Sequence, residues 1–131
     1  MDTEKKKKIL VVEDDIFMVE LLVGDLQAAG YDTLVAKTGI EGVEQFRTGR
    51  PDLVLLDILL PDQNGFETLR QIRRSAGGPE TMVMILSNIA EGPDMDEAKR
   101  LGVKDYLVKA NFTLPEIIDK IREVFKKQIE A

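Results

Sequence analysis

Apolar residues follow two alternating rhythms along this chain. Short runs of strand length occur at Lys8–Val12 (KILVV), Thr33–Ala36 (TLVA), Leu53–Asp57 (LVLLD), Met82–Ser87 (MVMILS) and Asp105–Lys109 (DYLVK). Between them lie longer stretches in which apolar positions recur every three or four residues. Near-continuous runs suit strands buried on both faces, and the second rhythm suits helices with one buried stripe.

The helical stretches carry their own punctuation. Val19, Leu22, Val23 and Leu26 share a stripe that Gly30 stops. Thr38 and Glu41 form a capping-box pattern ahead of Val43 and Phe46, and Thr113 with Glu116 repeats it ahead of Ile117, Ile118, Ile121, Val124 and Phe125. Gly65 opens a helix bearing Phe66, Leu69 and Ile72. After the fourth strand, Gly92 and Pro93 delay the helix to Asp94–Leu101, where Gly102 ends it. Strands alternating with helices predict an α/β fold, a parallel sheet covered on both faces. No repeat or linker divides the chain, so residues 1–131 read as a single domain with no output domain. In open sheets of this kind ligands bind at the carboxyl ends of the strands, where the strand order reverses.

Composition narrows the chemistry. The 131 residues contain no cysteine and no histidine. That excludes disulfides, thiolate nucleophiles, iron–sulfur clusters, typical zinc sites and serine–histidine charge systems. A metal held by oxygen ligands alone is a hard cation, magnesium or calcium, with manganese also compatible. A net charge of −6 gives little support to a nucleic-acid partner. The one basic run, Lys5–Lys8, reads as a solvated lead-in to the first strand. No apolar stretch is long enough to span a bilayer and "MDTEKKKKILVV" lacks a signal-peptide pattern, so the expected compartment is the cytoplasm, away from membranes.

Asp57 stands out because it ends an apolar run, and an isolated carboxylate in an apolar interior costs roughly tens of kcal/mol by idealised solvation. The other strands end in reactive residues too. Glu13 and Asp14, with Asp15 following, end the first; Ser87 ends the fourth; Lys109 ends the fifth. Singly, each has an ordinary reading. Asp14 or Asp15 can cap a helix, Ser87 can be a loop hydroxyl and Lys109 a solvated charge, while Asp62 and Asn64 suit a turn before Gly65. Their coincidence at the carboxyl ends of the strands favours a site. Clustered carboxylates need a compensating cation, and one lysine is insufficient. A divalent metal would supply the rest, and metal, lysine and hydroxyl together would receive a phosphoryl group, with Asp57 as nucleophile forming an acyl phosphate.

The motifs "VVEDD", "LLDILLPDQNGFE", "ILSN" and "YLVKA" make the whole chain resemble a response-regulator receiver domain, the family that includes the chemotaxis response regulator. The resemblance implies a flavodoxin-like, doubly wound five-stranded sheet of order 2-1-3-4-5. It implies that Asp57 is the phosphoacceptor and that Asp14, Asp57 and the main-chain carbonyl of Leu59 ligate Mg2+ (or Mn2+). Glu13 would act through a metal-bound water, Lys109 would contact the phosphoryl group, and Ser87 and Tyr106 would be the switch pair. Gly65 matches the glycine that closes the loop after the acceptor strand. The implied partners are a sensor histidine kinase or phosphotransfer protein and a downstream protein target. The target would be read by the fourth helix, fifth strand and last helix, near Tyr106, Lys99 and Lys120.

Some positions depart from the family pattern. Ala110 replaces the usual proline after the lysine; the Lys109–Ala110 bond is expected to be either trans with a slightly shifted Lys109 or a strained cis one, with trans favoured because a cis bond before a non-proline residue costs about 2.5–4 kcal/mol. Asn88 is larger than the residue common after the switch hydroxyl. Leu59 and Ile89, both apolar, would shield the acyl phosphate from water and prolong it. Two other readings stand beside this one. A haloacid-dehalogenase-type phosphohydrolase needs a second acid two residues after the nucleophile, where this chain has Leu59, so turnover of external phosphoesters is not expected. A degenerate receiver serving only as a binding module is the other alternative.

Overall fold

A computed structural model describes residues 6–89 and 92–130; Lys5, the first lysine of the basic run, lies outside them. Strands β1 (Lys8–Val12), β2 (Asp32–Ala36), β3 (Leu53–Leu56), β4 (Met82–Ser87) and β5 (Asp105–Val108) pair in parallel in the order β2-β1-β3-β4-β5. Helices α1 (Ile16–Ala28), α2 (Gly39–Gly49), α3 (Gly65–Arg73), α4 (Gly92–Arg100) and α5 (Leu114–Glu130) connect and follow them, giving the doubly wound flavodoxin-like fold.

Successive side chains of a strand point to opposite faces, and both faces here are apolar. Leu10, Val12, Val54, Leu56, Val83 and Ile85 pack with Val43, Phe46, Leu69 and Ile72 from α2 and α3. On the other face, Ile9, Val11, Leu55 and Met84 pack with Leu22 and Leu26 of α1 and Ile117 and Ile121 of α5. α4 is held differently. Among the described residues its only buried side chain is Ala98. Polar contacts from α3 tie it down: Arg70 to Glu97 at 2.6 Å, and Arg73 Nε to the Leu101 carbonyl, just past the helix, at 2.9 Å.

The chain leaves β1 toward β2 on one flank, then returns to place β3 on the other. The strand order therefore reverses between the carboxyl ends of β1 and β3, where a crevice opens. Two strands end one residue sooner than the apolar runs imply. β3 stops at Leu56 and β5 at Val108, which leaves Asp57 and Lys109 just past the strand ends; Lys109 begins a 3-10 turn through Asn111. α4 starts at Gly92 rather than Asp94. Pro93 fits in its first turn because the missing N–H there would have had no intrahelical acceptor.

Candidate functional site at the carboxyl edge

Local structure sets Asp57 in place from both sides. Its amide donates to the Val12 carbonyl at 3.0 Å, tying it to the end of β1. Asn64 caps α3 by accepting from the Phe66 amide at 2.7 Å, and the Gly65 amide returns to the Ile58 carbonyl at 2.7 Å. A Cβ at Gly65 would overlap the Asp57 carbonyl oxygen and fall 2.7 Å from Ile58 Cα. Glycine is needed there for close approach; its φ is not in the left-handed region.

Asp57 is almost fully buried, and its carboxylate is accompanied. Oδ1 accepts from the Ile58 amide at 2.7 Å and, more weakly, from the Leu59 amide at 3.4 Å. Oδ2 lies 3.1 Å from Lys109 Nζ, and the same ammonium sits 2.6 Å from Oε1 of buried Glu13. Asp14 is exposed at the lip. One carboxylate oxygen from each of Glu13, Asp14 and Asp57 lies within 4.8 Å of the others. Asp15 stands apart from that group: its Oδ1 accepts from the Phe17 and Met18 amides and caps α1.

Burial pushes the Glu13 carboxyl above its ordinary range, with the Asp57 charge adding to it against the pull of the Lys109 bond. Burial works against the Lys109 ammonium, but its bonds and charge interactions with Glu13 and Asp57 outweigh it and hold the group above its ordinary value. The site is thus a cluster of acids with one fixed cation among them. Its donors are all hard oxygens and its charge is incompletely balanced, which fits a divalent metal of the magnesium class.

Ser87 and Tyr106 form a second, adjoining arrangement. Ser87 is fully buried, and its Oγ accepts from the Ile89 amide at 3.4 Å. The half-buried Tyr106 hydroxyl donates to the Ile89 carbonyl. Burial first, then the charges of Asp94 and Asp57, raise the Tyr106 phenol above its ordinary value. Four of the expected site residues, Glu13, Asp14, Asp57 and Lys109, meet directly. Ser87 and Tyr106 are joined to each other through Ile89 and make no hydrogen bond to Asp57 or Lys109 in this state. The Leu59 side chain is 62% exposed. The Lys109–Ala110 bond is trans, as the alanine implies.

Sequence reasoning missed the reach of Asp62. Taken there as a turn residue, it accepts from the Gly39 and Ile40 amides at 2.8 and 2.9 Å, fixing the start of α2 from across the crevice.

Residues 9–122 match the family model described as the response regulator receiver domain. The chain is 35% identical over 122 residues to the DNA-binding response regulator MtrA of Mycobacterium tuberculosis, covering 93% of this chain and 51% of that protein. It is 33% identical over 123 residues to the alkaline phosphatase synthesis transcriptional regulatory protein PhoP of Bacillus subtilis, covering 92% and 49%. The chain thus spans about half the length of these curated relatives. Among solved structures, a CheY-like receiver domain protein from Methanospirillum hungatei superposes with a TM-score of 0.89 at 25% identity, covering 96% of this chain and 98% of that one. The HemR receiver domain of Leptospira biflexa, in its non-phosphorylated form, gives 0.84 at 31% identity, covering 91% and 94%. With this fold and this acidic edge, the chain belongs to the response regulator receiver domain family of two-component signalling.

Proposed function

We propose that the chain is a phosphoacceptor switch. A sensor histidine kinase or phosphotransfer protein donates a phosphoryl group from its own phosphohistidine to Asp57, in the cytoplasm. The observation that carries this reading is the meeting of Glu13, Asp14 and Asp57 with Lys109 fixed between two of them. A carboxylate oxygen of Asp57 forms a bond to phosphorus as the P–N bond of the donor breaks. The imidazole leaves with the electron pair and is reprotonated. Mg2+ (with Mn2+ as a substitute) would be held by Asp14, Asp57 and the Leu59 main-chain carbonyl, and by Glu13 through a water, and would supply charge neutralisation. Lys109 exchanges its contact with Asp57 for a phosphoryl oxygen, which preorganises the site electrostatically.

Ser87 then donates its hydroxyl to the phosphoryl group. Because Ile89 touches both Ser87 and Tyr106, movement of that segment releases the Tyr106 hydroxyl and shifts a pre-existing equilibrium toward the active form. A protein target reads the result on α4, β5 and α5, near Tyr106, exposed Lys99 and half-exposed Lys120. MtrA is DNA-binding by name, but this chain aligns with about half of it. We assign the receiver itself no nucleic-acid contact. It performs one phosphoryl transfer to its own side chain and the later hydrolysis, and does not turn over external esters.

The test is intact-mass analysis after incubation with Mg2+ and a small-molecule phosphodonor. One added phosphoryl group on wild type and none on Asp57→Asn is expected. Labelling that survives unchanged in the variant places the acceptor elsewhere.

A further inference from the structure

At the opposite edge of the sheet, around the amino ends of β3 and β4, lies a cleft of about 560 Å³ lined by Phe46, Arg47, Arg50, Pro51, Gly77 and Thr81, among others. Its size is that of a small-molecule site. Asp57 lies at the far end of β3, so the cleft is separated from the acidic edge by the length of the strand.

Two features set this cleft apart from ordinary surface. The first is charge. In an acidic protein, neither the Arg47 nor the Arg50 guanidinium has a carboxylate within ion-pair distance among the described residues. Arg47 is instead positioned by a hydroxyl: its Nε donates to Oγ of buried Ser75 at 3.0 Å, and that hydroxyl donates to the Gln71 carbonyl at 2.9 Å. Its terminal nitrogens stay uncommitted. The neighbouring surface is mixed, with Lys6, Lys7 and Asp52 on one side and Glu80, Arg100 and Lys104 on the other.

The second is backbone conformation. Arg50 ends α2 at φ 47° and ψ 62°, and among the described residues it is the only non-glycine with positive φ. Gly30, Gly77 and Gly102 fill the other positive-φ positions among the described residues. An arginine held where glycine is easier indicates that the side chain has a use, because such outliers concentrate at ligand clamps. The amides of Ala76 and Gly77, on the opposite wall, donate to no protein acceptor among the described residues. Guanidiniums paired with free main-chain amides suit phosphate oxygens; Phe46 and Pro51 form the floor and are themselves buried.

We propose that this cleft binds a phosphate-bearing small molecule, recognised through its phosphate chain. Arg47 and Arg50 would hold phosphate oxygens from one wall and the Ala76 and Gly77 amides from the other. This site is independent of phosphorylation at Asp57.

The experiment is a titration of the full chain, in the Asp57→Asn background and with chelator present to silence the acidic edge, followed by amide NMR. The probes are nucleoside mono-, di- and triphosphates and inorganic pyrophosphate. Saturable one-site shifts centred on Arg50, Ala76, Gly77 and Thr81 are expected, with affinity rising with the number of phosphates and pyrophosphate binding as tightly as a nucleoside diphosphate. Arg50→Gly should bind roughly tenfold more weakly while melting at a higher temperature, because it relieves the backbone. Arg47→Gln should weaken binding with its fold intact. Affinity that fails to rise from mono- to triphosphate would overturn recognition through the phosphate chain. Shifts spread over Lys6, Lys7, Arg100 and Lys104 that vanish at about 0.15 M salt, no saturation at millimolar ligand, or unchanged binding in Arg50→Gly would overturn the site.

Discussion

Lys109 lies closer to Glu13 than to Asp57: 2.6 Å from Glu13 Oε1 against 3.1 Å from Asp57 Oδ2. The lysine therefore neutralises the most buried acid of the edge while it holds Asp57. Lys109→Met leaves two buried carboxylates without their cation and should destabilise the protein by about 2 kcal/mol, below the range for fully buried pairs because the lysine is partly exposed. Added magnesium should stabilise wild type, stabilise Lys109→Met more, and stabilise Asp14→Ala less; chelator should reverse each effect. Urea melts with and without the metal measure this, and equal magnesium effects in all three proteins would refute it.

Gly65→Ala is expected to cost about 2 kcal/mol, because its new methyl meets backbone at Asp57 and Ile58, which cannot rotate away. The acceptor loop must shift, so phosphorylation should slow as well. Thermal melts and the intact-mass assay report the two effects separately.

Asp62 supplies the pH-dependent term. Burial raises its carboxyl, but the bonds from the Ile40 and Gly39 amides, with those of its own segment, outweigh burial and hold it below the ordinary range. A depressed carboxyl contributes stability that is complete above its unfolded pKa of about 3.9 and is lost as pH falls through the lower folded value. Asp62→Ala should therefore be less stable than wild type at pH 7 by up to about 1 kcal/mol, with the difference closing only below the ordinary carboxylate range. A constant difference across an acid titration of the melting temperature would count against the cap.

In the proposed function the apolar pair Leu59 and Ile89 shields an acyl phosphate at Asp57 from water. Leu59→Asn with Ile89→Glu offers polar groups that can orient water, and should shorten that lifetime by roughly tenfold. Leu59 lies mostly in solvent, so Ile89, packed against the core face, should account for more of the change. Time courses of label loss for the two single variants and the double decide it.

In the proposed function a protein donor reaches Asp57 across the rim, and the start of α1 presents exposed Ile16, Phe17 and Leu21. Phe17→Ala should slow transfer from the cognate phosphohistidine by roughly tenfold and leave labelling by a small phosphodonor unchanged. Slowing of both reactions would move the effect from docking to the site itself.

The strands were legible because each central strand is covered on both faces, so its residues form an apolar run that stops where Glu13, Asp57 and Ser87 begin. The capping box at Thr113 is realised in both directions, with the Thr113 amide donating to Glu116 at 2.8 Å and the Glu116 amide to Thr113 at 3.3 Å. Long-range choices were illegible. Asp62 caps a helix that starts 23 residues earlier, and no local spacing reports such a bond. Three adjacent acids at the end of β1 are alike on paper. The structure turns Asp15 to the α1 amides and leaves Glu13 and Asp14 for the cluster, a division set by the direction of the backbone. Gly92 and Pro93 looked like a delay because their propensities are poor inside a helix, whereas the first turn tolerates both.

The attachment of α4 has a consequence for regulation. A helix that buries one alanine and hangs from arginines of its neighbour owes its position largely to charge, and charge interactions at a surface are screened over about 8 Å at physiological ionic strength. Raising salt should loosen this helix while the apolar strands beneath it hold firm. The background electrolyte thus sets how firmly this helix is held over the sheet, independently of the chemistry at the acidic edge.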